Sequence, residues 1–92
     1  MINDPFVHQQ SFKLAERLVR SRSGEPDRIR LAYELVFSRS ARRAEIRASQ
    51  LYLKQFQKKL SSLGVPAEER SPMAWSSFAR ALLGSNEFIY VD

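Results

Sequence analysis

The sequence contains no cysteine, which excludes disulfides, thiolate catalysis and cysteine-ligated zinc or iron–sulfur centres. It has a single histidine, His8. One histidine among scattered carboxylates lacks the ligand spacing of a metal site. Glycine (3) and proline (4) are scarce, so most of the chain is free to take regular structure. There is no glycine-rich phosphate loop, and no serine stands in a nucleophile-elbow context. No run approaches the roughly 18 apolar residues that span a bilayer. The opening Met1-Ile2-Asn3-Asp4-Pro5 lacks a basic region followed by an apolar core, so no signal peptide is visible. Catalysis, cofactor and metal are therefore not expected of this chain.

What is present is helical patterning. Hydrophobic residues make up 43% and charged residues 27% of 92 positions, the balance of an ordinary globular domain. Four stretches have apolar residues at i, i+3, i+4, i+7 spacing, and none alternates with period two. The first runs from about Pro5 to Arg22, with Asp4 as N-cap and Pro5 at the first position. Its apolar arc is Val7, Leu14, Ala15, Leu18 and Val19, with Phe12 at the edge. Gly24 follows as a residue suited to a left-handed turn. The second runs from about Pro26 to Ser38 on Ile29, Ala32, Tyr33, Val36 and Phe37. The third runs from about Ala41 to Leu63, with Ser40 as N-cap, a seam of Ile46, Ser49, Leu53, Phe56, Leu60 and Leu63 with Tyr52 beside it, and Gly64 as its stop. Val65 to Arg70 read as a polar linker, and Ser71-Pro72 as cap and first position of a fourth helix carrying Trp75, Phe78, Ala79, Leu82 and Leu83. Short connections predict antiparallel neighbours, hence an all-α, small up-and-down bundle of about four amphipathic helices forming a single domain.

Two surfaces are candidates for function. Net charge is +5, and from Arg39 to Lys59 seven basic residues face one acid, Glu45. On a helical wheel Arg43, Arg47, Lys54 and Lys58 align beside the apolar seam. Such a stripe tracks phosphates in a salt-sensitive, sequence-independent way, but it is equally the solvated face of a long helix. It lacks interleaved aromatics or a helix-turn-helix signature, so nucleic acid is the weaker reading. Glu45 and Glu34, near basic residues, are expected to form ion pairs. The closing segment Glu87-Phe88-Ile89-Tyr90-Val91-Asp92 is apolar for a chain end. Phe88 and Tyr90, with Phe6, must fold back or form an exposed patch, and an exposed patch marks an interface.

Several segments together resemble a known family. They are Asn3-Asp4-Pro5-Phe6-Val7, Leu14-Ala15-Glu16-Arg17-Leu18, Arg28-Ile29-Arg30-Leu31-Ala32-Tyr33 and Ala74-Trp75. The most specific is Ala81-Leu82-Leu83-Gly84-Ser85-Asn86-Glu87-Phe88-Ile89-Tyr90-Val91-Asp92. The chain resembles the C-terminal third of a planctomycete-type domain of unknown function, found near the end of large exported proteins that often carry cytochrome-c-like domains. The resemblance implies an exported or cell-surface parent, with Met1 either a cut within it or the start of a shortened gene product. It brings no catalytic residues. It departs after Arg39, where the family tends to proline-rich turns and this chain has Ser40-Ala41-Arg42-Arg43. The expected role is a helical packing or interaction module whose partners are other domains of the parent, or a second copy. The alternative is polyanion binding through the basic face of the third helix. A third is a wall of an enzymatic site in the parent.

Overall fold

Four amphipathic stretches bury their apolar faces on one another, and this sets the architecture. The structure, a computed structural model, describes residues 5–85. Among these it is all-α, with α1 (Pro5–Ser21), α2 (Glu25–Phe37), α3 (Arg43–Ser62) and α4 (Ala67–Leu83) and no strand. In space the neighbours follow chain order and α4 closes back onto α1; α4 also reaches α2, while α1 and α3 do not meet. α1 and α4 are antiparallel. His8, early in α1, touches Arg80, late in α4, whereas the later Val19 shares a groove with the earlier Ser71. α3 and α4 are antiparallel by the same logic, since Tyr52 bonds Ser77 and the later Phe56 lines a groove with the earlier Met73. The up-and-down bundle expected from the short connections is present.

The core is Leu18 from α1, Ile29, Ala32 and Tyr33 from α2, Leu53 from α3, and Ala74, Trp75, Phe78, Ala79 and Leu82 from α4, with Ala15 beside them. Trp75 meets Phe78 edge-on at 5.7 Å between centroids, a favoured aromatic geometry. Ala74 and Ala79 are fully buried, and such small side chains let α4 lie close to its neighbours.

The connections are tied by specific bonds. Arg28 donates from Nε to the Arg22 carbonyl (2.7 Å) and from Nη2 to that of Val19 (3.3 Å), closing the C-terminus of α1. Its guanidinium also lies 5.5 Å over the Trp75 ring. After α2, Ser38 turns left-handed (φ 56°) and its N–H donates to the Glu34 carbonyl. After α3, Gly64 takes φ 82°. The Val65 N–H reaches the Leu60 carbonyl and the Gly64 N–H that of Ser61, the pair of bonds that makes a Schellman ending. Arg70 then donates from Nε to the Val65 carbonyl at 2.8 Å.

Several expectations are corrected. Gly24 is not left-handed; it precedes α2 in an extended conformation with φ −95°. α3 starts at Arg43 rather than Ala41, because the Glu45 carboxylate accepts the Arg42 N–H at 2.8 Å and fixes the first turn there, in place of a Ser40 cap. α4 starts at Ala67, so the Val65–Arg70 linker is mostly helix and Pro72 lies inside it. Ala67, Glu68, Glu69 and Arg70 are good helix formers, with two acids in the first turn favoured by the helix dipole. Phe12 and Leu63, expected in the core, are 62% and 69% exposed. Asp4, the expected cap of α1, lies outside the described residues.

Candidate interaction surfaces

α4 buries the face carrying Ala74, Trp75, Phe78, Ala79 and Leu82. At about 100° per residue, Pro72, Met73, Ser76, Ser77 and Arg80 occupy the opposite side. That side is not a crest but a floor. α1 rises along one edge with His8, Ser11 and Phe12, and α3 along the other with Phe56, enclosing a groove of about 360 Å³. Phe12 stands as a ridge between this groove and a second, of about 320 Å³, which continues along α1 past Ala15 and Val19 to Ser71. Phe12 is 62% exposed, and Val19 and Met73 are each 42% exposed. Tyr52 and Ser77 bond each other across the α3 edge, which orders the wall behind Phe56.

One end of the groove is cationic. Arg80 places Nη1 3.1 and 3.2 Å from the two ring nitrogens of His8. Near-equal distances to both describe contact with the imidazole as a whole rather than one directed hydrogen bond. Among the described residues the buried Nε of Arg80 has no hydrogen-bond partner and no carboxylate pairs with this arginine. A buried donor without a partner costs about 1–3 kcal/mol.

The basic stripe is as the wheel places it. Arg43, Arg47, Lys54 and Lys58 are all exposed, and at 1.5 Å per residue they span about 22 Å of α3. None forms an ion pair among the described residues. Glu25 lines a shallow surface beside Lys54 and Gln50 and adds a negative charge at the stripe's middle. Phe88 and Tyr90 lie outside the described residues. Phe6 is 65% exposed but projects from the side of α1 away from the groove.

The only strongly shifted acid among the described residues is Glu45, far from the groove floor. Arg39 holds it with two bonds of 2.8 Å. These bonds are the main reason its pKa falls from 4.5 to about 2; partial burial opposes the shift, and the Arg42 N–H and charge add to it. The expected ion pair of Glu45 is therefore formed. The Glu34 carboxylate makes none among the described residues. Glu45 organises the α2–α3 turn, which accounts for its shift without a catalytic role.

The groove was missed by reading periodicity alone. Its signal is present in the sequence: the outward side of α4 carries Pro72, Met73, Ser76 and Ser77, with Arg80 its only charge beyond Glu69, where an outward helix face is normally rich in charge. No family model, no curated protein and no solved structure matches this chain.

Proposed function

We propose that this chain is a helical packing and interaction module, without catalysis of its own, within a larger exported multidomain protein. The observation that supports the module is the apolar groove over α4, with Phe12 62% exposed at its ridge. A side chain of that size left in water forfeits about 1.5–3 kcal/mol that burial would return. Contiguous exposed apolar surface of this kind marks contact with another polypeptide. The exported parent rests on the sequence resemblance alone. The partners are other domains of that parent or, for the isolated chain, a second copy.

The test is the solution mass of the chain by light scattering across concentration, at low and high salt. Association that grows with concentration and is insensitive to salt is expected, because the contact is apolar. A monomer at every concentration, with no binding of an apolar dye, refutes the module.

A second reading has its own observation. Arg43, Arg47, Lys54 and Lys58 form an exposed cationic line with no ion pair among the described residues, suited to a polyanion or nucleic acid. It predicts retention on heparin that falls steeply with salt and is lost in Arg43→Glu with Arg47→Glu. Unretarded passage at low salt removes it.

A further inference from the structure

We infer that the groove over α4 receives a second copy of this chain in a closed two-fold pair, with the two α1 helices antiparallel and Glu16 of each copy set against Arg80 of the other. The inference rests on the reading of the groove as an interaction surface, and it commits to the occupant and its orientation.

The charges along the groove are ordered end to end. Arg80 touches His8 at one end, and among the described residues no carboxylate pairs with it. Phe12 stands at the centre, between the two grooves. Glu16 stands towards the other end, on the edge of the second groove. It is exposed and makes no ion pair among the described residues, although Arg20 is one turn on. His8, Phe12 and Glu16 follow at i, i+4 spacing, so they form one line along α1 with about 6 Å between steps. α4 runs the other way beside them. Ser76 comes four residues before Arg80, as Phe12 comes four after His8. Ser76 is therefore level with Phe12, and the two residues line both grooves.

This pattern is its own complement. A two-fold axis between Phe12 and Ser76, perpendicular to α1, exchanges the two ends. The Phe12 ring of one copy then lies on the other's floor at Ser76, whose small, half-buried side chain leaves room for it. Glu16, about 6 Å to one side of the axis, meets the partner's Arg80, carried about 6 Å to the same side. Each contact is made twice, as an isologous interface requires, and assembly stops at two copies. A parallel arrangement fails on the same charges, because it sets Glu16 against Glu16 and Arg80 against Arg80. The apolar centre supplies the affinity, and the ion pairs at its rim set the orientation while adding little to it. Association thus stays insensitive to salt, whereas a reversed charge, repeated at both ends by symmetry, opposes it.

The experiment is sedimentation equilibrium of the wild-type chain, of Glu16→Lys, of Arg80→Glu and of an equimolar mixture of the two variants, with urea unfolding of each. The wild type is expected to form a dimer and nothing larger. Each variant alone is expected to dissociate about tenfold or more readily. The mixture is expected to return to within about threefold of the wild type, because both ends of the mixed pair again join opposite charges. A mixture no tighter than its components, or a wild type that grows beyond a dimer, overturns the inference. Isotope-filtered Overhauser spectra of the wild-type dimer need no substitution, and so stand even if Arg80→Glu fails to fold. They are expected to show contacts between copies from the Phe12 ring to the Ser76 methylene, and a dimer without them overturns the inference. The two readings fail separately. Association that is lost in Phe12→Asp, Met73→Asp but is indifferent to both charge reversals leaves the module and removes this pairing. A wild-type monomer that binds an apolar dye does the same, and a monomer that binds none removes both.

Discussion

Arg28 joins three parts of the bundle at once: the last carbonyls of α1, the start of α2 and the Trp75 ring of α4. Its planar fork serves two acceptors while its face lies on an aromatic, a combination that lysine cannot reproduce. Arg28→Lys is expected to cost about 1–2 kcal/mol in urea unfolding, although it keeps the charge. Glu45 is the second such residue. Its pKa is lowered to about 2 in the folded chain, so its contribution is complete above its ordinary pKa of 4.5 and is lost as pH falls from there through about 2. Partly exposed as it is, the group contributes about 2 kcal/mol. Glu45→Gln should flatten the fall in stability between pH 5 and about pH 2, measured by urea unfolding at each pH. The sequence shows Glu45 among basic residues and so shows that it pairs. It does not show which arginine it pairs with, because that depends on the left-handed turn at Ser38, which swings Arg39 back over α3. The role of Arg28 was equally hidden, since its partners are backbone carbonyls and a ring far along the chain.

At the scale of elements, periodicity and punctuation located four helices because the apolar spacing is strong and Gly64 is a true stop, left-handed at φ 82°. Beyond its two chain neighbours, no atom lies within 4 Å of where a Cβ on Gly64 would stand, so Gly64→Ala tests the backbone conformation alone. It should destabilise by about 1 kcal/mol, read from thermal or urea unfolding. The start of α4 was misread because Ser71-Pro72 imitates a cap and first position, while the helix-forming run from Ala67 to Arg70 is the stronger signal. Pro72, sixth in the helix, leaves the Glu68 carbonyl without its usual donor. Pro72→Ala should restore that bond and stabilise the fold by about 1–2 kcal/mol. A loss of stability instead would mean that the Pro72 ring packs more usefully than the bond it removes. Phe12 lies at the edge of the α1 arc at a spacing compatible with the core, and that spacing does not reveal that α4 sits low beside it and leaves the ring 62% exposed.

At the scale of the whole molecule, closure of α4 onto α1 and α3 leaves α4 recessed between two higher neighbours. The groove exists because of that arrangement, and no single helix contains it. It would read as an ordinary solvated face if its floor were charged. Instead it is built of Pro72, Met73, Ser76 and Ser77, with one arginine whose Nε has no partner among the described residues. The basic stripe of α3 lies on a different surface, so the two can be altered independently. The most direct measurement compares sedimentation equilibrium of the wild-type chain with that of Phe12→Asp, Met73→Asp, together with urea unfolding of both. If the groove is an interaction surface, the substituted chain keeps its stability to within about 1 kcal/mol, since both positions are exposed, and no longer associates. Association that persists unchanged in the substituted, folded chain would contradict the account.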